Sequence, residues 1–530
     1  MRGAMFNPVE LTLYSQLLEA TCAEMGRVLQ QSAYSPNIKE RRDLSCAIFD
    51  ADGRMLAQGR DIPVHLGSMP ASVEAALSAQ RLGPGDVVLI NDPYHGGTHL
   101  PDLTVVAPFF WPGGSAPTAF LANRAHHADV GGTAAGSMPL STELLQEGLV
   151  IPPVKVVRRG RVHTDVVDML CANSRTPRER RGDLLAQLAS LRRGLQRMEE
   201  FDRELRATKL ALSDVFSALY LSGQRAACEL ILSLPDGKTT GSARLELPEG
   251  EAWVRVELAK QANKLQLDFS ATDVQRAGPF NAVRPITQSA VLYVLRCLLP
   301  EDVPTGSALL DAVSITTKPG TLVDALPPAA VAAGNVETSQ RIVEALFDAL
   351  RKLLPERISA ASQGTMNNVL IGAADASGTP FTYYETMGGG HGAAPRGPGL
   401  SARHCHMTNS LNTPVEALEH AYPLRVLRYA VRRESGGGGG QRGGDGIVRE
   451  VEFLRDCELT LLRQSCATGP AGTQGGQAGA SGIATLRRGG RKTILPSSYN
   501  VRVSAGDVLT VETPGGGGYG RARRSDRERT

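Results

Sequence analysis

The chain has 530 residues, 42% hydrophobic and 21% charged, which is the composition of a folded globular protein with ample length for a core and not of a disordered one. Lys+Arg of 57 against Asp+Glu of 54 leaves only +3, so no global field favours nucleic acid. Eight cysteines are scattered without a Cys-x-x-Cys pair, which excludes a disulfide framework and a zinc ribbon. The start Met1 to Pro8 has no apolar run of signal-peptide length, and no stretch of roughly 18 apolar residues suggests a membrane span. The expectation is a reduced, cytoplasmic protein.

In chain order, the first helix signal is Asn7-Pro8-Val9-Glu10, a capping side chain followed by Pro at the first helical position and Glu at the third. Leu11, Leu17, Leu18, Met25, Val28 and Leu29 then recur near helical spacing. Ser45–Phe49 and Met55–Ala57 flank Asp52-Gly53, a hairpin turn signal. Val87–Ile90 reads as a short buried strand ending at Asn91-Asp92-Pro93. Leu103–Phe110 and Ala119–Asn123, joined by Trp111-Pro112-Gly113-Gly114, read as an antiparallel pair.

Thr176-Pro177-Arg178-Glu179 opens a long, half-exposed helix, and Thr413-Pro414-Val415-Glu416 repeats the same starting device. Alternation marks strands at 243–247 and 254–258, and a further helix is expected from about Glu337 to Leu354. After residue 436, glycine clusters alternate with short strands such as 448–453 and 459–462, a pattern of turns and close backbone approaches. The fold class expected is α+β: mixed, largely antiparallel sheets with several long helices in one multi-lobed domain. Approximate lobes are 7–175, a helical segment 176–226, 227–435 and 436–520, with a basic tail at 521–530.

Four of the ten histidines fall within residues 95 to 127, in two motifs. Asn91-Asp92-Pro93-Tyr94-His95-Gly96-Gly97-Thr98-His99-Leu100-Pro101-Asp102 lies between two predicted strands, and Asn123-Arg124-Ala125-His126-His127-Ala128-Asp129 closes the next. In extended chain His127 and Asp129 point one way and His126 the other. His99, Asp102, His127 and Asp129 would give two imidazoles and two carboxylates, a donor set suited to manganese first, with iron or zinc as alternatives. The competing reading is a set of polar loop residues bonding a buried turn.

His391 and the trio His404-Cys405-His406 are softer candidates, for substrate positioning or for structure. Arg41 could hold a substrate carboxylate or sit in a salt-bridged loop. No phosphate loop is present: Gly489-Gly490-Arg491-Lys492-Thr493 leads into Ile494-Leu495-Pro496 and not into a helix, so ATP is expected to bind elsewhere.

Ser35-Pro36-Asn37-Ile38-Lys39-Glu40-Arg41-Arg42-Asp43, Val64-His65-Leu66-Gly67-Ser68-Met69, the two histidine motifs, His406-Met407-Thr408-Asn409, Ser435-Gly436-Gly437 and Thr513-Pro514-Gly515-Gly516 follow one another along nearly the whole chain. In these stretches the sequence resembles the hydantoinase B/5-oxoprolinase family, which includes the metal-bearing subunit of acetone carboxylases. The resemblance implies a B-type subunit of an ATP-dependent cyclic amidohydrolase, working in a hetero-oligomer. An A-type partner with an actin-like ATPase fold would phosphorylate the substrate carbonyl oxygen, and the B-type chain would complete ring opening at a divalent metal. His126 is then the candidate base, with Asp92 as a second candidate catalytic residue, and Arg41, His391 and His406 as candidates for substrate contact. The alternatives are a ketone carboxylase subunit and a non-catalytic scaffold for the ATPase.

Overall fold

A computed structural model describes residues 6–59, 62–301, 303–374 and 377–522. Most of the basic tail lies outside the described residues. Asn7 caps the helix Pro8–Ser32 with the full reciprocal box, its side chain accepting from the Glu10 N–H. The apolar stripe of that helix, Leu18, Met25 and Leu29, is fully buried. Pro177 opens the 31-residue helix Pro177–Ala207, but here Thr176 makes no capping bond to the backbone. The third start differs further: the helix Val415–Ala421 is capped by Pro414, and the Thr413 N–H is drawn away to the carboxylate of Glu385, 2.6 Å off.

The sheet that positions the site has seven strands: β1 (Leu44–Asp50), β2 (Met55–Gln58), β3 (Val87–Ile90), β4 (Asp102–Phe110), β5 (Pro117–His126), β6 (Val154–Arg158) and β7 (Arg161–Val162). Their order is β2-β1-β5-β4-β3-β6-β7, with every neighbouring pair antiparallel. The helices Pro8–Ser32 and Pro177–Ala207 pack together on one face of this sheet and the helix Met69–Ala79 on the other, so β1, β4 and β5 are buried on both faces. That is why their sequences read as near-continuous apolar runs and not as alternation.

A four-stranded sheet runs Val313–Thr316, Lys264–Asp268, Glu251–Gln261, Gly237–Glu246, and its only parallel pairing is the first. Alternate buried and half-exposed residues along Glu251–Gln261 show one face covered, by the helix Ser339–Leu353. Two further antiparallel sheets, of four and five strands, enclose a second core that includes Ile371, Phe453, Leu459 and Leu461. The glycine-rich segments run close to neighbouring backbone: a Cβ on Gly516 would stand 1.9 Å from the carbonyl oxygen of His391. Only glycine fits there. The architecture is α+β with largely antiparallel sheets, and among the described residues no helix is long and apolar enough to cross a membrane.

The helix expected from Glu337 begins at Ser339 instead. Ahead of it, Gly334–Thr338 forms a π-helical turn, fully buried. Such widened turns recur at functional sites because they redirect a side chain that a regular helix would aim elsewhere.

Candidate metal centre

Strand register builds the site. Asp102 is the first residue of β4 and His126 the last of β5, and the two are direct cross-strand partners, so both side chains leave the same face of the sheet. The His126 backbone is held on both sides: its N–H donates to the Asp43 carbonyl (3.0 Å) and its carbonyl accepts from Asn37 Nδ2 (2.7 Å). His99 reaches the same point from the loop before β4, where the Asp102 N–H donates to the His99 carbonyl at 3.1 Å. Asn91 ties that loop down through Nδ2 to the Leu100 and Leu149 carbonyls and through Oδ1 from the Ile151 N–H.

A fourth group arrives from the short 3-10 turn Pro63–His65. The result is one carboxylate among three imidazoles. Oδ1 of Asp102 lies 3.2 Å from Nε2 of His99 and 3.4 Å from Nδ1 of His126, and Oδ2 lies 3.4 Å from Nε2 of His65. All four side chains are buried. The donor atoms of His99, Asp102 and His126 fall within 4.8 Å of one another, the one such cluster among the described residues.

These separations decide between two meanings of the cluster. A direct charge-assisted imidazole–carboxylate bond contracts to about 2.7–2.9 Å. Donor atoms that share one ion at about 2.0–2.2 Å stand roughly 3–3.5 Å apart instead. The observed 3.2–3.4 Å spacings are compatible with the second kind. Nε2 of His126 has no hydrogen-bond partner despite its burial, a further sign that the protein's own contacts do not exhaust this group.

Surrounding contacts orient the donors. The carbonyl of Ala332 lies 3.3 Å from Nδ1 of His99, which assigns the proton to Nδ1 and leaves the Nε2 lone pair facing the centre. Asn335, on the π-helical turn, places Nδ2 3.0 Å from that Nε2 and 3.4 Å from Oδ2 of Asp102. Thr98 donates to the same oxygen at 2.8 Å, and Ser45 Oγ stands 2.8 Å from Nδ1 of His65. Burial opposes ionisation of Asp102, but His99, His65 and His126 together hold its carboxyl well below the usual range. Burial lowers His126, so its imidazole is neutral at neutral pH, the form that can coordinate.

Tyr384 stacks on His126 with ring centroids 4.8 Å apart and planes inclined by 26°. The guanidinium of Arg41 also lies over the Tyr384 ring, 4.6 Å from its centroid. His126 and Tyr384 line a small cavity of ≈ 10 Å³ among buried residues, together with Asp43, His65, Asp102, Asn335 and Thr408 among others. That is room for about one water or ion.

Several residues singled out in the sequence go elsewhere. His99 and Asp102 are brought together, but His127 and Asp129 do not join them, and the expected set of four is corrected in that respect. β5 presents His126 to the centre, so the next residue turns the opposite way: His127 Nε2 donates to Gln187 Oε1 at 3.0 Å, and burial together with Arg180 lowers its pKa to about 4. The Asp129 carboxylate is committed to Arg175 (2.9 Å) and to the N–H groups of Gly131 and Arg175. Asp92 accepts from the Tyr94 N–H at 3.0 Å and pairs with His95 at 2.6 Å, away from the cavity.

Arg41 is fully buried and bonds Asn37, the Tyr384 carbonyl (2.8 Å), Thr386 and Ser410, so its donors face protein, not an open cleft. His391 and His406 line a separate pocket of ≈ 310 Å³. His391 Nε2 donates to the His404 carbonyl at 2.6 Å, and His406 lies 3.6 Å from Glu344 between Tyr293 and Phe347.

Sequence reasoning passed over His65, Asn335, Tyr384 and Asp43 as members of the site. His65 had one signal, its place in a stretch that carries the family resemblance. Asn335 had none, because no spacing rule announces a π-helical turn.

A family model described as Hydantoinase B/oxoprolinase matches residues 7–522. An uncharacterized protein of Methanocaldococcus jannaschii is 37% identical over 94% of this chain and 88% of its own length. The 5-oxoprolinase 1 of Arabidopsis thaliana is 35% identical over 97% of this chain, which spans only 42% of that protein. Among solved structures, an ATP-dependent caprolactamase from Pseudomonas jessenii superposes with a TM-score of 0.89 at 25% identity, covering 98% of this chain and 93% of that one.

Proposed function

Since the chain belongs to the hydantoinase B/oxoprolinase family, we propose that it is the subunit that completes hydrolytic ring opening of a cyclic amide at a divalent-metal centre, after an ATP-using partner has activated the carbonyl. The observation that carries this reading is the buried Asp102 carboxylate set among His65, His99 and His126 at 3.2–3.4 Å, beside a small cavity. The names of the Arabidopsis and Pseudomonas relatives support the substrate class, and the second supports the use of ATP. The partner is an A-type subunit with an actin-like ATPase fold. The longer relative leaves room for such a function in one chain, since this chain spans 42% of its length.

His99, Asp102 and His126 would hold the ion, and their mixed nitrogen and oxygen donors suit manganese, iron or zinc. Bound there, such an ion supplies a Lewis acid for the substrate oxygen and lowers the pKa of water. His65 takes the base role that the sequence reading gave to His126. Its Nε2 faces the cavity beside Asp102, and Ser45 fixes the ring through Nδ1. Tyr384 and the Asp43 carbonyl keep His126 in register, and the apolar wall of Ile62, Val64, Val336 and Met366 restricts water.

The test is reconstitution with the A-type subunit, with ATP and, in turn, 5-oxoproline, a hydantoin, caprolactam, and acetone with bicarbonate. Ring-opened acid, formed by wild type and absent with His99→Ala, is the expected result. Full turnover by His99→Ala would reduce the chain to a scaffold, and bicarbonate fixation without ring opening would make it a carboxylase subunit.

A further inference from the structure

Asn335 lines the metal cavity, is only 3% exposed, and leaves its Oδ1 without a hydrogen-bond partner. The backbone on either side of it is pinned. Its own carbonyl accepts from Ser339 Oγ at 2.7 Å. Gly334 packs so tightly that a Cβ there would stand 1.9 Å from the Asn281 carbonyl oxygen. Just upstream, the Glu147 carboxylate accepts from the N–H groups of Val331 and Ala332 at 2.9–3.2 Å. The π-helical turn therefore holds this carboxamide at the cavity, with one of its two ends unpaired.

The other end is Nδ2, which lies 3.0 Å from Nε2 of His99 and 3.4 Å from Oδ2 of Asp102. In the ion-free chain this is a sound bond, an N–H donating to an imidazole lone pair. With an ion in the centre the same arrangement fails twice. The His99 lone pair belongs to the ion and no longer accepts, and the amide hydrogens are directed at a positive charge. Both ends of a buried carboxamide would then lack a partner, a costly state.

A half turn about the last side-chain bond exchanges the oxygen and the nitrogen with almost no change of shape. The amide oxygen then takes the place of Nδ2, 3.0 Å from Nε2 of His99 and 3.4 Å from Oδ2 of Asp102. Donors that share one ion at about 2.0–2.2 Å stand roughly 3–3.5 Å apart. A side-chain amide oxygen is also a donor that divalent ions accept beside carboxylates.

We infer that Asn335 is a fourth ligand of the centre, binding through Oδ1 after its carboxamide turns over as the ion enters. The inference rests on the metal-centre reading proposed above and adds to it a residue that carries no charge and does not titrate. With His99, Asp102 and His126 it completes a set of two nitrogen and two oxygen donors. Four protein donors leave a position for water or substrate only on an ion that takes five or six ligands. In the ion-free chain the same amide donates to His99 and keeps that ring aimed at the centre.

The test is cobalt(II) binding by the whole chain, without ATP, substrate or partner. Wild type, Asn335→Leu, Asn335→Asp and Asn335→Cys are compared, each checked for folding by circular dichroism. Wild type is expected to bind close to one equivalent. Asn335→Leu, of nearly the same shape, should bind more than about 100-fold more weakly. Removal of a group that only orients a ligand costs about 10–100-fold. Asn335→Asp keeps the oxygen and loses the donor, and should bind at least as tightly as wild type. At saturating cobalt, Asn335→Cys should show a near-ultraviolet sulfur-to-cobalt charge-transfer band that wild type lacks, which requires a direct bond from this position to the ion.

A loss of about 100-fold or less in Asn335→Leu would overturn the inference and leave the centre of His99, Asp102 and His126 standing. So would a loss in Asn335→Asp as large as in Asn335→Leu, or no such band in cobalt-loaded Asn335→Cys. No cobalt bound by wild type would overturn the centre itself, and the inference with it.

Discussion

Nε2 of His65 stands 3.4 Å from Oδ2 of Asp102, the carboxylate oxygen that His99 and His126 leave to others. The two residues lie 37 positions apart, and the turn that carries His65 packs on the helix Arg284–Leu298 as well as on the site. His65 therefore fixes the orientation of the Asp102 carboxylate as well as facing the cavity. Replacement of His65 by Ala is expected to weaken binding of a divalent ion about 10–100-fold, the usual loss when a group that supports a ligand is removed. Competition against a chelating dye checks this, and unchanged affinity would confine His65 to proton transfer.

Asp129 supplies the opposite outcome. Its fully buried carboxylate accepts from Ser174, from two backbone N–H groups and from Arg175. Asp129→Ala strands these donors and should destabilise the chain by about 2–4 kcal/mol. Metal content per folded molecule should stay at the wild-type value. Denaturant unfolding and metal analysis of the same preparation read both quantities.

Glu337 makes stability depend on pH. Burial pushes its carboxyl up to about 8, against hydrogen bonds from Thr365, Met366 and Asn368 and the field of Arg341. Unfolded, it titrates near the ordinary 4.5. Between these values the folded chain keeps a proton that the unfolded chain releases. Its contribution is whole below pH 4.5 and declines as pH rises toward 8. Glu147, raised to about 7 by burial, acts in the same direction over a narrower window. Glu337→Gln should flatten this slope and at pH 8 should be more stable than wild type by about 1–3 kcal/mol, with the gap closing near pH 5. Thermal unfolding across pH measures it.

Tyr384 touches His126 by its ring and Asn368 by its hydroxyl, the latter at 2.9 Å. Tyr384→Phe keeps the stack and should retain most of the proposed ring-opening activity after reconstitution. Tyr384→Ala removes the surface that holds the imidazole and should lower kcat about 10-fold or more, since small misplacements at a reacting centre are expensive. Equal activity of the two variants would show that the stack does not position His126.

How much was legible in the sequence follows the range of the interactions. The Asn7 cap, the Asp50–Arg54 turn and the strands β3 to β5 depend on neighbours in sequence, and the pattern reading places them within a few residues. The two histidine motifs were visible for the same reason. Alternation also separates His126 from His127, but which of them faces the centre depends on β4 pairing Asp102 with His126, a register that residue types alone do not specify. His65 and Asn335 reach the cavity from a 3-10 turn and a π-helical turn far away in sequence, and only tertiary packing brings them there. The glycine clusters were read as close approaches, yet the partners, such as the His391 carbonyl against Gly516, needed coordinates.

The most direct measurement is the metal content, by mass spectrometry of chelator-free preparations, of wild type, His126→Ala and His127→Ala, each checked for folding. The account predicts close to one equivalent of divalent metal in wild type and in His127→Ala, and a loss of most of it in His126→Ala. Full retention in His126→Ala, or loss confined to His127→Ala, would contradict the assignment of the centre to His99, Asp102 and His126.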